Sequence, residues 1–203
     1  MASRKAIAAR LLDVAGRTYA QEAGIRLADR PSPLYRLLVL SVLLSTRIKA
    51  HLAVAASGEL SRLATPRRML DATWQQRVDA LGRAHYVRYD ESTATALGDG
   101  AELLLAEYRG DVRRMRGDDL RDHLLRVPRL GPVGVDIFCR EAQAVWPELR
   151  PYLDRKALDG ARRVGLPAEP RRLARLVEPD DLARLSAGLV RVKLDRGLAG
   201  EVA

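Results

Sequence analysis

The stretch Val127-Pro128-Arg129-Leu130-Gly131-Pro132-Val133-Gly134-Val135-Asp136-Ile137-Phe138 decides how this chain reads, and Asp154 follows it by sixteen residues. It reads as the end of one helix, a tight Gly/Pro hairpin and the start of a second helix, with Asp154 opening a further helix. A hairpin between helix ends leaves backbone amides unpaired, and such amides are good ligands for a phosphate. Pro132 removes one donor but suits the first turn of a helix. A carboxylate downstream of the grip can act on whatever the phosphate anchors.

Outward from the hairpin, the punctuation is helical nearly throughout. Ser32-Pro33 and Thr65-Pro66 read as N-caps followed by proline at the first helical position. Gly24, Gly58, Gly110 and Gly165 stand where helices would end in left-handed caps. Between these marks apolar residues recur at helical spacing: Ile7, Leu11, Leu12, Ala15 and Tyr19; Val78 and Leu81; Leu97, Ala101, Leu104, Leu105 and Tyr108. Alternating strand patterns are absent and aromatic residues make up 4%. The expected class is all-α.

The helix after Pro33 is apolar nearly all round, through Tyr35, Leu37, Leu38, Leu40, Val42, Leu43 and Leu44, and should be the centre of a bundle. Ser45, Thr46, Arg47 and Lys49 then interrupt it abruptly, as a functional surface or as an ordinary exit into solvent. Beyond Pro167, helix starts fall at Pro170 and at Glu178-Pro179-Asp180-Asp181, the latter with acids suited to the helix dipole.

At 203 residues and 47% hydrophobic content the chain can bury a core, as one large domain or two small lobes. Its net charge of +9 and pI of about 10.3 point to an anionic partner, nucleic acid or a membrane surface. Only four of the 35 basic residues are lysines, Lys5, Lys49, Lys156 and Lys193. The arginine bias suits bidentate phosphate contacts and equally fits plain compositional bias. The greasiest run, Leu34 to Leu44, is about eleven residues long, contains Arg36 and is too short to span a bilayer. Arg4, Lys5 and Arg10 break up the N-terminus, so no secretory signal is read there and a cytoplasmic location is expected. Cys139 is the single cysteine, which excludes an internal disulfide and a cysteine-ligated iron–sulfur cluster. His51 and His85 are too isolated to suggest a metal site, and none is expected.

Three segments in order resemble the helix-hairpin-helix DNA glycosylase superfamily, in its endonuclease III-like branch. Leu125-Arg126-Val127-Pro128-Arg129-Leu130-Gly131-Pro132-Val133-Gly134 is similar to the family's Leu-Pro-Gly-Val-Gly hairpin. Tyr152-Leu153-Asp154-Arg155-Lys156 resembles its Val-Asp-Thr-His stretch, and Leu43-Leu44-Ser45-Thr46-Arg47 its Leu-Leu-Ser-Ala-Gln. The resemblance covers the chain from about Ser32 to Gly165.

It implies two helical lobes, residues 30–128 and residues 1–29 plus 141–203. The helix-hairpin-helix motif, residues 114–140, would lie at their junction, with a DNA-binding groove between the lobes. It implies double-stranded DNA with a damaged or mispaired base as partner, Asp154 as catalytic carboxylate, and DNA contacts from Arg129, Leu130, Gly131, Val133 and Gly134. Arg47 matches a glutamine that fills the vacated stack, Arg88 and Tyr89 fall near a second wedge, and Lys156 suits a phosphate contact. Tyr86 and Tyr89 read equally well as packing, Asp136 as a local ion-pair partner, and Asp154 taken alone as a helix N-cap.

The chain departs from the family at two points of chemistry. Val133 stands where bifunctional members carry a Schiff-base lysine, and Arg129 replaces the hairpin's first glycine. The expectation is therefore a monofunctional, monomeric base-excision hydrolase without AP-lyase activity. It would carry no resident cofactor beyond a monovalent cation at the hairpin. The alternative is a catalytically silent DNA-binding protein that keeps the fold. Without a cluster, the C-terminal part must be held by apolar packing of Leu173, Leu176, Leu182, Leu185, Leu189 and Val192.

Overall fold

The computed structural model describes residues 3–202. In chain order its α-helices are α1 (Arg4–Ala15), α2 (Tyr19–Glu22), α3 (Pro31–Leu44), α4 (Ala50–Glu59), α5 (Pro66–Asp71), α6 (Trp74–Arg83) and α7 (Asp90–Tyr108). There follow α8 (Leu120–Leu125), α9 (Gly131–Ala142), α10 (Arg155–Arg163), α11 (Pro170–Ala174), α12 (Leu182–Leu194) and α13 (Arg196–Val202). No strand occurs among the described residues, and none of their helices is long and apolar enough to cross a membrane. The chain divides into a central unit, Glu22–Phe138, and a terminal unit made of the chain up to Gln21 and from Cys139 onward.

The central unit forms around α3. Leu34, Tyr35, Leu37, Leu38, Leu40, Val42 and Leu43 are buried on every side of this helix, as its unbroken apolar run requires. Its start is not at Ser32. Arg30 is the N-cap, without a side-chain bond, and Pro31 takes the first helical position. Both Pro31 and Pro33 lie in the first turn, where a missing N–H costs nothing, so the second proline is a poor guide to the boundary. Thr65 does cap α5, accepting from the Arg68 amide ahead of Pro66.

Arg77, buried on α6, donates to the carbonyls of Met69 (2.9 Å), Ala72 (2.7 Å) and Ala94 (2.9 Å), joining α5 and α7 across its own helix. Gly24 and Gly110 adopt left-handed φ of 64° and 75°. Gly58 ends no helix; it lies inside α4, with nothing beyond its own stretch of helix within 4 Å of where a Cβ would stand. Gly58→Ala should therefore stabilise the protein by about 0.5–1 kcal/mol through helix propensity, as a rise in melting temperature.

The terminal unit is built on α12, against which α1, α10 and α13 pack. Leu11, Leu173, Leu182, Leu185, Leu189 and Val192 form its apolar core, with Leu176 packed at the edge. Tyr19 does not continue the α1 face, because Gly16 caps that helix and Tyr19 begins α2. Two glycines set the helix spacing. A Cβ on Gly188 would stand 3.0 Å from Leu11 Cγ, and one on Gly160 would stand 1.8 Å from the Leu189 carbonyl oxygen. Here α10 and α12 touch backbone to backbone.

Candidate functional site

In the central unit α8 ends at Leu125 and the hairpin turns through residues 126–130 into α9. The turn is closed by the Leu130 amide on the Val127 carbonyl (3.1 Å) and the Gly134 amide on the Leu130 carbonyl (3.0 Å). Arg129 and Gly131 both adopt left-handed backbone, with φ of 63° and 55°. Glycine takes that conformation freely, whereas a side chain costs about 1–2 kcal/mol there. So Arg129 keeps the turn that a glycine would make, at a cost.

Ser45 at the end of α3 meets this strained residue. Its hydroxyl lies 2.7 Å from the Val42 carbonyl and 3.0 Å from that of Arg129, so its proton ties the helix end to the strained residue. Gly134 lets the two approach: a Cβ there would stand 2.8 Å from Leu130 Cδ1 and 3.2 Å from Ser45 Cβ. Gly134→Ala should cost about 1–3 kcal/mol by overpacking against Leu130 and Ser45. A thermal melt checks this, and wild-type stability would mean that the hairpin is free to shift.

The functional candidates separate by what they can offer. Leu130 is buried and its amide is already spent, so it anchors the turn. The Gly134 amide is spent too. Among the described residues the amides of Gly131 and Val133 have no acceptor within the chain, as expected for a first helical turn. Val133 itself is 43% exposed.

Arg47, Tyr89 and Arg129 come together with Ser45 and Thr46 around an open pocket of about 440 Å³. The guanidinium carbons of Arg88 and Arg129 lie 5.2 and 5.7 Å from the centre of the Tyr89 ring, within cation–π range. Tyr86 is pure core, fully buried, its hydroxyl 2.7 Å from Thr46 Oγ1 and pushed up in pKa by burial. Asp136 pairs with Arg121 at 3.2 Å, and His51 and His85 are exposed.

In the terminal unit Asp154 is the N-cap of α10. Its Oδ1 accepts from the Ala157 amide at 3.0 Å and its Oδ2 from Arg140 Nη1 at 2.9 Å, with both side chains 7% exposed. Lys156 is exposed on the first turn of α10. Three polar side chains near the end of α9 organise this region. Arg140 takes Asp154. Gln143 Nε2 donates to the Tyr152 carbonyl and Oε1 accepts from the Tyr152 amide, both at 2.9 Å. Glu141 accepts from the amides of Tyr19 (2.9 Å) and Ala20 (3.2 Å). Burial pushes the Glu141 carboxyl up, against the pull of those two amides.

None of these three was picked out from the sequence. Their only signal is a polar run, Arg140-Glu141 with Gln143, on a helix whose neighbours Ile137, Phe138, Cys139 and Ala142 are apolar. Among the described residues no three His, Cys, Asp or Glu side chains gather to hold a metal. A four-thiolate cluster does not fit a chain whose one cysteine, Cys139, is buried in α9.

No family model matches the sequence, and no curated protein does. Solved structures do resemble it. One is a trapped covalent intermediate of endonuclease III with DNA, in an estranged-adenine complex (TM-score 0.53). Another is a non-covalent endonuclease III–DNA complex (TM-score 0.52). In both, identity is 14%, and the match covers 94% of this chain and 85% of the other. The chain has the all-α fold of endonuclease III.

Proposed function

We propose that this protein binds duplex DNA through the hairpin and releases a damaged or mispaired base by hydrolysis, as a monofunctional DNA-repair glycosylase. The observation that carries the reading is the pair of free amides at Gly131 and Val133, two and four residues beyond Arg129, which itself lines a pocket with Arg47 and Tyr89. Amides at a helix start and arginine forks together suit phosphate. Arg47, Arg88 and Tyr89 suit stacking on the bases around a nucleotide that has left the helix. Lys156 supplies a further phosphate contact.

As the N-glycosidic bond breaks, positive charge develops on the deoxyribose. The Asp154 carboxylate stabilises it and orients the water that adds at C1′. The base leaves with the bonding electron pair and takes up a proton. Val133 offers no amine, so no Schiff base forms and the strand stays intact. The chemistry calls for no resident cofactor; a monovalent cation could join the hairpin carbonyls. The protein acts as a monomer on nucleoid DNA in the cytoplasm.

A second reading is favoured by one specific observation. Both Asp154 oxygens already have donors and the side chain is 7% exposed, which suits a structural cap in a catalytically silent DNA-binding protein. Both readings share a steep salt dependence, because each phosphate contact contributes a slope of about −0.9 in log K against log salt. Binding of a duplex should weaken by about 10³-fold between ~50 and ~200 mM salt if about six phosphates are held. A flat dependence would remove DNA from both readings. Base release separates them.

A further inference from the structure

Building on the reading of Asp154 as the reacting carboxylate, we propose that Arg140 is its positioning residue. It fixes Asp154 through Oδ2 and so sets the direction in which the carboxylate presents its remaining lone pairs. A capping aspartate needs one oxygen on one amide, and its second oxygen can face water. In this protein the second oxygen is turned instead to the guanidinium of an arginine whose side chain is as buried as its own. Burying that charge is costly unless it is paired, and for stability alone an apolar pair of similar volume serves as well or better. The pair is thus more than capping or packing requires.

The arginine is held from behind as well. Its carbonyl accepts from Gln143 Nε2 at 2.9 Å, and the same amide nitrogen donates to the Tyr152 carbonyl, two residues before Asp154. The other neighbouring carboxylate, Glu141, spends its oxygens on the Tyr19 and Ala20 amides. Two fixed donors leave the carboxylate unable to swing. Each carboxylate oxygen still has a free acceptor site for a water proton, so a positioned Asp154 is not a blocked one.

Arg140→Met and Arg140→Lys, read in two ways, test this. Lysine keeps the buried charge but lacks the planar fork, so that variant should stay folded. Hydrogen exchange at the Ala157 amide reports the Asp154 side chain directly, while the Leu189 amide in α12 reports whether the unit is folded. Exchange at Ala157 should accelerate by about fivefold or more in Arg140→Met, and less in Arg140→Lys, with Leu189 still protected. Single-turnover base release should fall about 100-fold in Arg140→Met, with duplex affinity unchanged and partial rescue by lysine.

Wild-type exchange at Ala157 in a folded variant overturns the proposal, because Asp154 would then hold its place unaided. If Arg140→Met also loses protection at Leu189, Arg140→Lys decides alone, and wild-type exchange there counts against the proposal. A wild-type protein that releases no base sinks the catalytic reading of Asp154; exchange at Ala157 then still tests the positioning.

Discussion

Replacing Gly160 by alanine should destabilise the terminal unit by at least about 3 kcal/mol, and lower the melting temperature by about 6–12 °C. Two effects of opposite sign compete at this position. Alanine gains about 1 kcal/mol of helix propensity over glycine inside α10. Against that, its Cβ would stand 1.8 Å from the Leu189 carbonyl oxygen, where van der Waals contact needs more than 3 Å. The obstacle is backbone, so no rotamer change relieves it. The helices must part by over an ångström, which loosens the core that Leu185, Leu189 and Val192 of α12 share with Ala157 and Ala161 of α10. Overlap wins. Gly58→Ala is the internal control, the same substitution with nothing to strike, and should move stability the other way. Equal melting temperatures for Gly160→Ala and wild type would mean that α10 and α12 are not packed as described.

Asp154→Asn should reduce base release by about 10³-fold or more while leaving duplex affinity within about threefold. In the proposed chemistry the isosteric amide removes the charge that a developing oxocarbenium needs, and it leaves the hairpin and its arginines unchanged. It also carries a stability cost of known origin. Asparagine caps a helix about as well as aspartate, so the Ala157 amide keeps an acceptor. Arg140 loses its counter-charge, and an uncompensated buried charge costs about 3–5 kcal/mol. Calorimetry alongside the assay separates the two effects: a folded variant without base release supports the chemistry, and a folded variant that keeps it contradicts the assignment of Asp154.

What could be read from the sequence was what neighbours along the chain decide. The apolar run of α3 gave a buried central helix, Thr65-Pro66 a capped start, and the Gly/Pro hairpin its place before α9. Asp154 read alone as an N-cap, and it is one. Errors came where local marks were redundant or silent, as with two prolines in the first turn of α3 and a glycine inside α4. The contacts that matter most near the site were illegible because they join distant residues. Ser45 meets Arg129 across 84 positions, Glu141 meets Ala20 across 121, and Arg140 meets Asp154 across 14. Arg129 shows the limit well. Its sequence reads as a lost glycine, yet its backbone keeps φ at 63°, with the Ser45 hydroxyl 3.0 Å from its carbonyl.

Hydrolytic base release without strand cleavage can be read in one experiment. Duplexes carrying alkylated, deaminated, oxidised or mispaired bases are incubated with the protein, and free base and strand scission are scored separately. Base release is expected from at least one duplex, with the abasic strand intact until alkali or heat is added, since Val133 supplies no amine. Strand cleavage without that treatment, or no base released from any duplex, would contradict it.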